Sequence, residues 1–227
     1  MNRGTVIVTA VLCAIGFPAV LWLAFYEAPL ADHPALFFNQ KIFYFHVPSA
    51  FMMFAAVFVC GIYSLLFLRK RKPEHDEIAN SAAELGVLFG AVVLVTGSIW
   101  GKASWNTWWE WEARLTTALL LWMIMLAYVL VRKYGGPGSE RLGAGLGVFA
   151  MLDVPLIYLS VHIWRTVHPK TSVVPELEGK MRIAFWVGVA TFIAFFVLLI
   201  KVRNSLGRAE RLLHDVREQA FDAGLLD

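Results

Sequence analysis

F-Y-F-H-V-P-S-A-F-M-M-F-A-A-V-F-V-C-G-I-Y-S-L-L-F-L, from Phe43 to Leu68, holds no Lys, Arg, Asp or Glu and stops at Arg69-Lys70-Arg71-Lys72. An apolar run becomes long enough to span a membrane at about 20 residues, and this one has 26. Backbone in hydrocarbon must satisfy its own hydrogen bonds, and a run of this length does so as a helix. Working outward in both directions, five more runs read the same way: Thr5–Tyr26, Ile78–Trp100, Thr116–Val131, Leu142–His162 and Ile183–Lys201. The predicted fold class is all-α, a polytopic membrane protein with six transmembrane helices. The fourth run is short unless its helix begins inside the preceding loop. The first outlasts a signal-peptide core and is read as a retained helix kinked near Pro18.

Composition agrees. The chain is 59% hydrophobic and only 16% charged, where soluble domains carry about 25% charged residues. Residues 1–227 form a single domain on this reading, with an outward loop at about 100–117 and a tail at 202–227. The net charge of +3 carries little information; lipid is the expected neighbour, and no nucleic-acid partner is expected. Cys13 and Cys60 sit inside apolar runs without C-x-x-C spacing, so they read as packing residues. G-x-x-x-G spacings at Gly86/Gly90, Gly97/Gly101 and Gly143/Gly147 suit close helix packing or arise by chance. Leu206, Leu212, Leu213 and Val216 give the tail an amphipathic pattern.

Lys and Arg set the orientation. Arg3, the cluster at 69–72, Arg132, Lys133, Arg141, Lys201 and the tail carry thirteen of them, against seven in the alternate segments. The positive-inside rule then places both termini in the cytoplasm. The loops Glu27–Lys41, Gly101–Leu115 and Ile163–Arg182 face outward.

One of those loops is unusual. W-G-K-A-S-W-N-T-W-W-E-W-E-A-R-L-T begins at Trp100 and holds Trp100, Trp105, Trp108, Trp109 and Trp111. An interfacial aromatic belt explains Trp22, Trp122, Trp164 and Trp186. Five tryptophans in twelve residues, interleaved with Lys102, Glu110, Glu112 and Arg114, are too dense for a belt alone. Flat aromatic faces beside both signs of charge suit a large, flat, partly charged ring system, such as a porphyrin with propionates. If the stretch is helical, Trp105, Trp108, Trp109 and Glu112 share a face. Arg114 or Lys102 would then pair with ligand carboxylates, or Arg114 with Glu110.

Imidazole is a standard axial ligand for haem iron. His75 and His214 fall on the cytoplasmic side; His33, His46, His162 and His168 fall on or near the outer one. His46 precedes Val47-Pro48, where a helical break would set it at the mouth of the second span. His168 precedes Pro169, which biases it to an extended backbone. One histidine from each of two segments would bracket a ring, and spacing alone does not separate His46 and His168 from His33 and His162. Asp153, before Val154-Pro155, is costly at mid-span and reads first as a hydrogen bond between helices.

Together these residues resemble a known family. W-G-K-x-x-W-x-x-W-W-x-W-(D/E)-A-R-L-T is similar to the tryptophan-rich signature of CcmC, the haem exporter protein C family of cytochrome c maturation, within the wider WWD-domain group. F-H-V-P-S-A at Phe45–Ala50 resembles its first histidine motif and V-H-I-W-R-T-V-H-P at Val161–Pro169 its second. The family has Asp where this chain has Glu112.

The resemblance implies haem b bound at the periplasmic surface of a bacterial inner membrane, with His46 and His168 as axial bis-histidine ligands. It assigns the second ligand to His168, not His162, and the cradle to the tryptophan loop. It implies delivery to the chaperone CcmE with the help of CcmD, release being driven by the CcmA–CcmB ATPase, and transport rather than catalysis. The chain has no G-x-x-x-x-G-K-(S/T) loop of its own for nucleotide. The rival readings are a cytochrome b-type electron-transfer subunit, which usually places its histidines inside helices, and a haem lyase, whose relatives are longer.

Overall fold

A computed structural model describes residues 3–32, 36–164 and 173–224. Helix α1 (Arg3–Trp22) runs through Pro18 and ends in a π turn at Leu23–Glu27, so the departure from α geometry lies beyond the proline. A 3-10 turn at Phe37–Ile42 leads into α2 (Phe43–Lys70). Then come α3 (Pro73–Trp105), α4 (Ala113–Tyr134), α5 (Ser139–Ile163), the short α6 (Val173–Glu176) and α7 (Gly179–Asp222). Among the described residues six helices are long and apolar enough to cross a membrane.

Short connections make the helices antiparallel neighbours. α2 packs on α3 and α5, α4 on α3 and α5, and α7 on α1. The bundle has a basic end, where α2 meets α3 and α4 meets α5, and a tryptophan end opposite. Tyr128, Phe89, Leu121, Met125 and Val57 are fully buried in the central core. A second core at the tryptophan end gathers Phe43, Tyr44, Trp100 and Phe185.

The glycine spacings are used for close approach. A Cβ on Gly90 would meet the Trp122 ring at 2.6 Å, and one on Gly147 would meet Ser64 Oγ at 2.6 Å. The turn between α4 and α5 needs positive φ at Gly136 (65°) and Gly138 (88°), which glycine adopts without strain.

Ion pairs tie the basic end together. Pro73 opens α3 with Glu74 and Asp76 in its first turn, the arrangement favoured by backbone and dipole. Arg132 of α4 pairs with Asp76 at 2.5 Å, Arg203 of α7 with Glu84 at 2.5 Å and Arg211 with Glu77 at 2.7 Å. The tail is therefore no separate helix but the continuation of α7, about 66 Å long by helical rise. Leu206, Leu212, Leu213 and Val216 are exposed along it. Lys41, expected in an outward loop, is instead buried, with Nζ donating to the Ala28 carbonyl at 2.5 Å. Asp153 is buried and its Oδ2 meets no donor among the described residues, so no hydrogen bond between helices is seen at that oxygen.

Candidate functional site

His46 is the fourth residue of α2 and is buried. The expected break at Pro48 does not occur: the helix begins at Phe43 and passes through the proline. His46 thus lies within a helix, at its tryptophan end, and not at a loop boundary. The neighbouring face of α3 positions its ring. Nδ1 lies 2.9 Å from Thr96 Oγ1, and Cε1 lies where a Cβ on Gly97 would come within 3.2 Å. The Trp100 ring meets the imidazole edge-on, with centroids 5.7 Å apart.

The tryptophan stretch is not one helix. α3 stops at Trp105 because Asn106 adopts a left-handed conformation (φ 60°), which Asn tolerates better than most residues. Lys102 Nζ caps that terminus, donating to Asn106 Oδ1 at 2.8 Å. Asn39 Nδ2 donates to the Ala103 carbonyl at 2.8 Å. Trp105, Trp108, Trp109 and Glu112 therefore share no helical face, and residues 107–112 form a loop. The loop lies close over Gly101, where a Cβ would meet the Thr107 carbonyl at 2.9 Å. α4 then starts at Ala113, inside the stretch, with Glu112 as its N-cap residue.

Loop and helices border an open cleft, with about 910 Å³ of space between them when the solvent at its mouth is counted. One wall is helical: His46, Ala50, Met53 and Phe54 from α2, Val93, Leu94, Gly97 and Trp100 from α3, with Ile157 of α5. The other wall holds Trp105, Trp108, Trp109, Glu110, Glu112 and Arg114. Of the expected site residues, the cleft brings together His46, Trp100, Trp105, Trp108, Trp109, Glu112 and Arg114. Lys102 and Trp111 do not line it: Lys102 is engaged at the helix terminus, and Trp111 is 79% exposed, its ring edge-on to Trp109. His168 lies outside the described residues, as does His33.

The cleft's polar groups are suggestive. Arg114 Nη1, Trp100 Nε1 and Trp109 Nε1 are buried and find no acceptor among the described residues. Arg114 forms no ion pair with Glu110 there. Buried donors left unpaired are costly, so a ligand bringing acceptors fits them, in a mostly apolar and aromatic cleft that also holds the Glu110 and Glu112 carboxylates. No three His, Cys, Asp or Glu side chains converge as a bare metal ion would need, among the described residues. A macrocycle-bound metal needs only axial ligands. Sequence reasoning missed Thr96 and read Gly97 only as a helix-packing position; their place beside His46 appears when α2 is seen against α3.

Comparison with known proteins bears on this cleft. The sequence profile of CcmC, Heme exporter protein C, matches residues 2–220. The chain belongs to this family. It is 33% identical to Heme exporter protein C of Bradyrhizobium diazoefficiens over 213 residues, 92% of this chain and 78% of that protein. Heme exporter protein C of Haemophilus influenzae is 29% identical over 92% of this chain and 84% of its own length. That of Rhodobacter capsulatus is 28% identical over 86% and 83%. The family resemblance read from the tryptophan run and the two histidine motifs therefore holds for nearly the whole chain.

Proposed function

We propose that this chain binds haem b in the cleft at the outer face of a bacterial inner membrane and delivers it to the chaperone CcmE during c-type cytochrome maturation. The observation that carries the reading is the meeting of His46, the tryptophan wall and the unpaired donor of Arg114 in one cleft. These residues fit the cargo. The aromatic faces take the porphyrin plane, His46 takes one axial position, and Arg114 takes a propionate by charge-assisted hydrogen bonds. Family membership extends the reading to His168 as the second axial ligand, to CcmD as helper and to CcmA–CcmB as the source of drive.

Both termini lie in the cytoplasm on this proposal. The basic end, with its Arg and Lys cluster, then faces inward and the cleft faces the periplasm. A reading as an electron-transfer subunit gains from His46 being inside a helix, but family membership weighs against it.

The test is absorption spectroscopy of the detergent-purified protein, oxidised and reduced. A bis-histidine spectrum is expected in the wild type, disturbed in both His46→Ala and His168→Ala and unchanged in His162→Ala. A protein that takes up no added haem would overturn the reading. Transfer of the bound haem to added CcmE separates delivery from electron transfer.

A further inference from the structure

We infer that Thr96 is a positioning residue that fixes the tautomer of His46, with the ring hydrogen on Nδ1 and the lone pair on Nε2. The argument is a count of hydrogens. Thr96 Oγ1 lies 2.6 Å from the Val92 carbonyl oxygen, one turn back on α3, with the Val93 carbonyl at 3.4 Å. A hydroxyl has one hydrogen and a carbonyl has none, so that hydrogen is committed to Val92. What the hydroxyl then offers His46, 2.9 Å away, is a lone pair. Nδ1 must bring the hydrogen. The opposite arrangement would leave two oxygens facing each other at 2.6 Å with no hydrogen between them.

The consequence falls on the far side of the ring. A neutral imidazole carries one N–H and one basic nitrogen, and the nitrogen held by a hydrogen bond decides which is which. With Nδ1 donating to Thr96, Nε2 is the nitrogen able to coordinate iron. Histidines that bind metals characteristically donate their other N–H in this way, which fixes the ring's angle and raises its basicity. Gly97 and Trp100 complete the positioning on the same stretch of α3. α3 thus supplies both the ring's orientation and its protonation pattern, while α2 supplies only the ring.

The tautomer follows from the haem-free geometry; its purpose rests on the proposed role of His46 as an iron ligand. Two measurements separate them. The first is 15N NMR of histidine-labelled, haem-free wild type, with the His46 signals assigned from His46→Gln. The Nδ1–H pattern is expected. An Nε2–H pattern, or an even mixture, would overturn the inference, and this spectrum needs no variant of Thr96 to fold.

The second is haem titration and the reduced spectrum of Thr96→Val and Thr96→Ser. Valine keeps the shape and removes the acceptor, and loss of such a partner weakens metal binding about 10- to 100-fold. Serine keeps the hydroxyl and is expected to restore wild-type affinity and band positions. Equal affinity and identical spectra in all three proteins would overturn the positioning role. Wild type that shows the Nδ1–H tautomer but binds no haem would support the tautomer assignment and overturn the haem reading instead.

Discussion

Gly97 sits directly beneath the imidazole of His46: a Cβ there would lie 3.2 Å from Cε1. That is tighter than ordinary contact, and the ring is already held at Nδ1 by Thr96. Gly97→Ala should therefore tilt the imidazole and break its geometry toward iron. Haem titration should show about tenfold weaker binding, the scale of losing a supporting contact at a metal ligand. Unchanged affinity would mean that the ring's angle is not limiting.

Arg114 should be worth most to a ligand with free carboxylates. Arg114→Leu is expected to lose about 1.5–3 kcal/mol of haem affinity, the range for a hydrogen bond to a charged group. Haem whose propionates are esterified should bind the wild type as weakly as the variant binds haem. It should bind the variant no worse. Additive losses would move the propionates away from Arg114.

At the basic end, Arg203 grips Glu84 through two nitrogens, at 2.5 and 2.7 Å, with both side chains partly shielded. Arg203→Ala should lower stability by about 1–2 kcal/mol, between exposed and buried pairs. Thermal unfolding in detergent of Arg203→Ala, Glu84→Ala and the double variant should give a double variant little worse than either single one.

Gly86 and Gly90 lie one turn apart but should respond differently to alanine. A Cβ on Gly86 meets the terminal methyl of Met125 at 2.8 Å, which can swing aside. A Cβ on Gly90 meets the Trp122 ring at 2.6 Å, and that ring is tied by Nε1 donating to the Val87 carbonyl at 3.0 Å. Gly90→Ala should cost about 1–3 kcal/mol as overpacking, and Gly86→Ala clearly less, in the same unfolding assay.

Orientation can be read by chemistry. Trp111 at one end and Tyr134 at the other are 79% and 72% exposed, while both native cysteines are buried. A membrane-impermeant thiol reagent on intact spheroplasts should label Trp111→Cys and leave Tyr134→Cys untouched until the membrane is opened. The reverse pattern would invert the proposed topology.

The spans were legible because each is long, apolar and bounded by charge or by turn residues such as Gly135 and Gly136. The cleft was half legible. The density of tryptophan announced an aromatic surface, and the Phe45–Ala50 segment announced a histidine near it. Spacing suggested a helical shelf through Trp109, because periodicity carries no sign of the single left-handed residue, Asn106, that ends α3 early. Lys102 read as a ligand anchor for the same reason: its partner is a helix terminus that had been placed elsewhere. Thr96 was invisible, and Gly97 legible only as a packing glycine, because their role beside His46 exists only between two helices.

The premature end of α3 divides the labour within the cleft. His46, Thr96 and Gly97 stand on paired helices whose shape is set by long ladders of hydrogen bonds. Facing them, from Thr107 to Glu112, is a strip of chain without such a ladder, and segments of that kind open at little cost in free energy. On the proposed function, a receiving protein would need only to lift this strip, like the tongue of a buckle. The side that aims the imidazole would be untouched by emptying, so the protein would be ready to reload without rebuilding its site.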